Sequence, residues 1–235
     1  MESIAPDVWQ VPGPSIRIPG GGKLPTCSTV IRLADRSLLV YSPVEIDDAA
    51  VAAIAAVGDV AHLIVPSLLH HLFAEAAARR WPKAMVHATP GVRHKQPGLR
   101  IDRELPHGDW GAGVEAELVG GTPKLNEVVL FHRPSGTLVC ADLFFHVTRP
   151  ENLRTRFVLA LVGTGGGRLA QSREWSFLRK DRAAARASVD RILGWPIARV
   201  AVCHGSATEI DAAGLAPRMS RLYGKPVRLG EPGPV

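Results

Sequence analysis

The run Val60–Val65, VAHLIV, restricts the fold of this chain more than any other stretch. It is six residues long, dominated by apolar side chains, and bounded by Gly58 and Pro66, which is too short for a stable helix and typical of a strand. A strand apolar at successive positions has to be covered on both faces. The flanking segments supply the cover. Asp47 to Val57 is alanine-rich, with apolar residues at helical spacing and Asp47-Asp48 at its start, where acids suit the helix dipole. Leu72 to Arg80 reads as a second helix that stops before Pro82, and Ala84 to Ala88 as the next strand. Helix, strand, helix, strand is the α/β layer signature.

The outer parts of the chain forbid the simplest α/β solution. Val8 to Val11 reads as a strand, with loops at Gly13-Pro14 and Pro19-Gly20-Gly21-Gly22. Thr26 to Leu33 and Leu38 to Tyr41 are joined by the polar turn Ala34 to Ser37, an antiparallel hairpin that Ser42-Pro43 ends. Arg93 to Gly113 is polar loop sequence. Val114 to Val119, Val128 to His132 and Thr137 to Ala141 are further strands, the last two joined through Arg133-Pro134-Ser135-Gly136. A long flexible connection is expected over 146–180, around the GTGGG run Gly163 to Gly167. Asp181 to Leu193 is a helix with Asp181 as its cap and Gly194 as its stop, and Ala198 to Val202 a closing strand. Two hairpins do not fit a doubly wound parallel sheet. The expectation is one domain over 1–235, an α/β sandwich of two mixed sheets with helices on the outer faces.

Composition narrows the class. With 235 residues, 46% hydrophobic and 21% charged, the chain can bury a single core and is not a disordered segment. Its net charge of +6 is scattered, with neither the basic stripe nor the stacking aromatics of a nucleic-acid reader. Cys27, Cys140 and Cys203 are odd in number and widely spaced, so no disulfide framework is expected. The opening MESIAPDVW has no apolar run, and no stretch has the ~18 apolar residues of a membrane helix. The expectations are a cytoplasmic protein with reduced thiols, no membrane or nucleic-acid partner, a small-molecule ligand, and a homodimer as the default assembly.

Three strand ends carry polar groups: Pro66 to His71 after VAHLIV, Ala141-Asp142 after TLVC, and Cys203-His204-Gly205 after RVAV. Sites in α/β folds gather outside the carboxyl ends of strands. His70, His71, Asp142 and His204 are therefore the candidate nitrogen and oxygen ligands of a zinc- or iron-like ion.

The order of these pieces resembles the metallo-β-lactamase superfamily over nearly the whole chain: opening hairpins, VAHLIVPS before the metal loop, LVCADLFF running into an aspartate, and RVAVCHG as closing strand and histidine. More narrowly, PSLLHHLFAEAA, NEVVLFHRPSGTLVCADLFF and AVCHGS resemble the DUF4336-type branch. The resemblance implies an αββα sandwich and a hydrolytic metal site, but the metal loop departs from HxHxDH. Ser67 and Leu69 stand where the first two histidines belong, His71 in the place of the aspartate and Leu72 in that of the last histidine. The usual GHT-like turn reads Gly120-Gly121-Thr122-Pro123. Asp142 matches the bridging aspartate and His204 the late histidine.

Leucine cannot donate electrons to a cation, so the ordinary dinuclear centre cannot assemble here. What the pattern allows is one divalent ion, zinc first and iron or manganese as alternatives, held by His70, His71, Asp142 and His204, or no ion at all. Asp142 and His71 are the candidate catalytic groups of a hydrolase for a small ester, lactone or amide. The competing expectation is a catalytically silent scaffold that binds a small molecule or protein in the inherited cleft. Elsewhere, Glu127 is read as a surface or loop-anchoring carboxylate, with an extra ligand of the site as the alternative, and His132 as closing its turn. Cys203 is read as a buried small hydrophobe. GTGGG lacks the Lys-Ser or Lys-Thr of a phosphate loop.

Overall fold

The computed structural model describes residues 1–108 and 110–227. Seven strands form one sheet in sequence order: β1 (Glu2–Ala5), β2 (Val8–Ile18), β3 (Gly22–Arg32), β4 (Leu38–Tyr41), β5 (Val60–Val65), β6 (Met85–Ala88) and β7 (Arg103–Glu104). The first four pair antiparallel and the last four parallel, so β4 belongs to both regimes. A second sheet runs β12-β11-β10-β9-β8, from β8 (Val114–Leu118), β9 (Val128–His132), β10 (Thr137–Cys140), β11 (Arg199–Val202) and β12 (Thr208–Glu209). Only β10 and β11 pair parallel there.

Alternation along the strands assigns every apolar side chain to a layer, because successive residues point to opposite faces. Ile31, Leu39, Tyr41 and Ile64 of the first sheet pack against Val128, Leu130, Val139, Ala201 and Cys203 of the second, forming the inter-sheet core. Their neighbours Val30, Leu38, Val40, Leu63 and Val65 face α1 (Asp48–Ala55), α2 (Ala74–Arg80) and α3 (Val92–Lys95). On the far side Val129, Phe131, Leu138, Cys140, Val200 and Val202 face α6 (Arg182–Leu193), with α7 (Ala212–Leu215) and α8 (Ser220–Tyr223) beyond it. This is the expected sandwich of two mixed sheets between helical layers. Val60–Val65 has its carboxyl half buried on both faces, between β4 and β6.

The segment 146–180 departs from expectation. It carries α4 (Leu153–Val162) and α5 (Glu174–Leu178), with Asn152 capping α4 through Thr155 N. Thr155 and Leu159 face inward onto the β2–β3 hairpin, and Trp175 is buried in the second helical layer. The glycine run ends α4, with Gly163 left-handed at φ 80°. Arginines and glycines hide the inward residues from a sequence reading, and α4 also turns Leu153, Phe157 and Leu161 outward. Among the described residues no helix is long and apolar enough to cross a membrane.

Candidate metal centre

The carboxyl ends of β5, β10 and β11 open at the same edge of the sandwich and deliver His70, Asp142 and His204 to one point. The turn after β5 is organised by Ser67, fully buried, whose Oγ accepts from the N–H groups of Leu69 and His70. This directs His70 inward. His204 Nε2 lies 3.2 Å from His70 Nε2. His70 Nε2 is 3.3 Å from Asp142 Oδ2, and His204 Nε2 is 3.4 Å from Asp142 Oδ1. Among the described residues these three form the group whose donor atoms fall within metal-binding reach of one another.

Each side chain is held from behind. His204 Nδ1 donates to the carbonyl of Pro25 at 2.8 Å, which leaves Nε2 of the neutral ring as a bare acceptor. His70 Nδ1 lies 2.7 Å from the hydroxyl of Ser42, which can give or take a proton. Ser42 follows β4 with a left-handed φ of 53°, a conformation costly for a non-glycine residue and often found beside functional groups. Phe145 stacks on the His204 ring, centroids 5.1 Å apart.

Asp142 is clamped through its backbone. Glu127, fully buried just before β9, accepts the N–H groups of Ala141 and Leu143 on Oε1, at 2.8 and 3.2 Å, and of Asp142 on Oε2, at 3.0 Å. Trp175 Nε1 donates to the Asp142 carbonyl at 2.9 Å. The carboxylate faces the imidazoles, and its Oδ2 is buried with no hydrogen-bond partner. Burial would raise the Asp142 pKa, but the neighbouring imidazoles hold it well below the usual carboxylate range. Burial pulls His70 down, yet the Asp142 carboxylate outweighs it and the net shift is upward. Burial and the nearby Asp142 charge push Glu127 up to about 8, against the pull of its backbone donors.

His71 is the correction. It points away from the group, its Nδ1 2.9 Å from Gln96 Nε2, and burial and the charge of Lys95 lower its pKa. Adjacent residues in a turn diverge, so one histidine of the pair enters the site. The expected quartet of donors is a trio, and His71 is not placed to act on anything they hold. Glu127 anchors the loop as read, from the interior and not from the surface. His132 closes its turn through Ser135, 2.7 Å away, and Cys203 is a buried thiol. The supporting roles of Ser42, Pro25 and Trp175 carry no sequence signal, since each acts on a residue distant along the chain.

The donor spacing fits an ion. Ligands ~2.0 Å from a tetrahedral zinc lie about 3.3 Å from each other, the spacing found here. Two Nε2 atoms facing each other beside a buried carboxylate call for a cation or a proton between them.

Residues 23–97 match the family model described as a domain of unknown function, DUF4336. A search of curated proteins finds no match. Solved structures match over nearly the whole chain. A metallo-β-lactamase from Pontibacter korlensis has a TM-score of 0.61 at 12% identity, covering 94% of this chain and 95% of that one. A metallo-β-lactamase from Hirschia baltica has 0.58 at 13%, covering 94% of each. The Flv1 flavodiiron core from Synechocystis sp. PCC6803 has 0.61 at 12%, covering 94% of this chain and 59% of that one. At such identities the likeness establishes the fold: the chain has the metallo-β-lactamase fold.

Proposed function

We propose that this chain, a metallo-β-lactamase fold with a reduced ligand set, is a mononuclear metal-dependent hydrolase of a small ester, lactone or amide. His70, Asp142 and His204 are the ligands, with zinc the best fit to two imidazoles and a carboxylate. The observation that carries this reading is the compact triangle of donors that His70, Asp142 and His204 form. A bound divalent ion supplies a Lewis acid that polarises a carbonyl and brings the pKa of a coordinated water to about 7.

The chain's own residues prepare the site for that chemistry. The Pro25 carbonyl fixes the His204 tautomer with Nε2 inward. The Ser42 hydroxyl lets His70 transfer its remaining proton to Nδ1 and present Nε2 as a lone pair. Glu127 and Trp175 keep Asp142 from swinging away. Asp142, which the neighbouring imidazoles hold well below the usual carboxylate range, stays ionised and serves as the oxygen ligand. Three buried free cysteines fit a reducing, cytoplasmic setting.

Elemental analysis of the dialysed protein tests the assignment. Wild type is expected to retain about one divalent ion per chain, and His204→Ala and Asp142→Ala to lose most of it, together with ester turnover. Equal metal content in all three proteins would remove the site. An ion retained without hydrolysis of any ester, lactone or amide in a broad panel would leave a metal-binding scaffold.

A further inference from the structure

The cleft that opens on His70 and His204 is walled mostly by hydrocarbon. His70 and His204 form its floor, and Ile16, Pro43, Val44, Leu69, Leu72 and Phe73 its sides. No lining residue is Lys, Arg, Asp or Glu. The polar atoms in the wall are already engaged. Thr26 Oγ1 donates to the Pro14 carbonyl at 2.8 Å, and Ser42 Oγ is bonded to His70. Cys27 Sγ donates to the Val202 carbonyl at 3.0 Å, and burial pushes this thiol up to about 12, so it is neutral. The two leucines that stand in place of metal-loop histidines are the mouth of the cleft, Leu69 47% and Leu72 60% exposed. Large apolar side chains left in water beside a site lose nothing by being covered and gain when an apolar group covers them.

We infer that the site takes an uncharged substrate whose apolar group, aliphatic or aromatic, lies across Leu69, Leu72, Val44 and Phe73 while its reacting carbonyl reaches the floor at His70 and His204. The enclosed space, about 30 Å³, has room for roughly one water, so the floor admits the reacting group and the tail rests on the exposed leucines. A charged tail lying on Leu69, Leu72, Val44 and Phe73 would shed its hydration against hydrocarbon, with no charged side chain along that wall to replace it. The word substrate rests on the hydrolase reading above; the binding preference does not.

The test uses non-hydrolysable neutral ketones against the purified protein, followed by leucine-methyl NMR. In the series 2-butanone, 2-hexanone, 2-octanone, affinity is expected to rise about fourfold per buried methylene, with shifts at Leu69 and Leu72. The anionic analogue 5-oxohexanoate, compared on EDTA-treated protein so that its carboxylate has no ion to coordinate, is expected to bind at least about tenfold more weakly than 2-hexanone. Leu72→Glu, a change at an exposed position, is expected to abolish the chain-length dependence, and Leu72→Ser to weaken it. Affinity independent of chain length, or equal binding of 5-oxohexanoate, would overturn the inference. Chain-length-dependent binding in a protein that turns over no ester would uphold the cleft and reject the hydrolase.

Discussion

Glu127 shows how much one side chain can do for a site it does not enter. Its two oxygens gather three consecutive backbone N–H groups and so set the turn that presents Asp142. In Glu127→Gln the amide nitrogen would face the Asp142 N–H, donor against donor, and leave it unsatisfied in the interior. Expected consequences are a stability loss of about 1–3 kcal/mol and a zinc affinity lowered ~10–100-fold. Calorimetric titration of zinc into the two proteins checks this, and unchanged affinity would make Glu127 a purely structural anchor. The sequence marked Glu127 as a surface or loop-anchoring carboxylate within reach of the site, without showing what it binds. What makes it important is a buried turn 14 to 16 residues away in the chain, and no local pattern encodes that.

Among the elements, the turn after β11 is as constrained as the strand before it. Gly205 sits at φ 118°, and a Cβ there would lie 2.0 Å from the His146 carbonyl. That carbonyl accepts from Ser206 N, and His146 N donates to the His204 carbonyl, so the two loops are laced together beside the site. Gly205→Ala therefore has to part them and displace His204. The expected result is several-fold or greater loss of bound metal with the far-ultraviolet circular dichroism intact. Full metal content in the variant would show that the turn relaxes without moving the imidazole. The sequence flagged this turn by its Cys-His-Gly composition at a strand end, and the strand-end rule that made it a candidate also found Asp142 and the 66–71 turn.

Across the whole molecule, the two sheets are held by alternation and by Tyr41, whose hydroxyl crosses the core to the Val128 carbonyl at 2.8 Å. Between β5 and β6 lies a second histidine pair, of which His87 is buried and His62 half-buried: His62 Nδ1 lies 3.0 Å from His87 Nε2, and His87 packs edge-on against Trp110. Burial, then repulsion from His62, pushes His87 down to about 4 from 6.5. In the unfolded chain this histidine protonates near pH 6.5, so between 6.5 and 4 the unfolded state binds the extra proton. Stability is full above 6.5 and falls as pH drops towards 4, by up to ~3 kcal/mol. Urea unfolding at pH 7.5 and 4.5 is expected to show a smaller acid loss in His87→Leu than in wild type; parallel losses would exonerate His87.

The sequence by itself determined the layers of this protein. Val60–Val65, Val128–His132 and the Asp181 cap, whose Oδ1 accepts from Ala183 and Ala184, all lie where the residues placed them. Strand period and helix caps are interactions among near neighbours, so a linear reading contains them. Tertiary structure alone decided which histidine of the 70–71 pair enters the site, what holds Asp142, and that the 146–180 segment folds into helices. Those outcomes depend on contacts such as His70 with His204, 134 residues apart, where the direction of a side chain is settled by the packing of strands that meet only in the folded state.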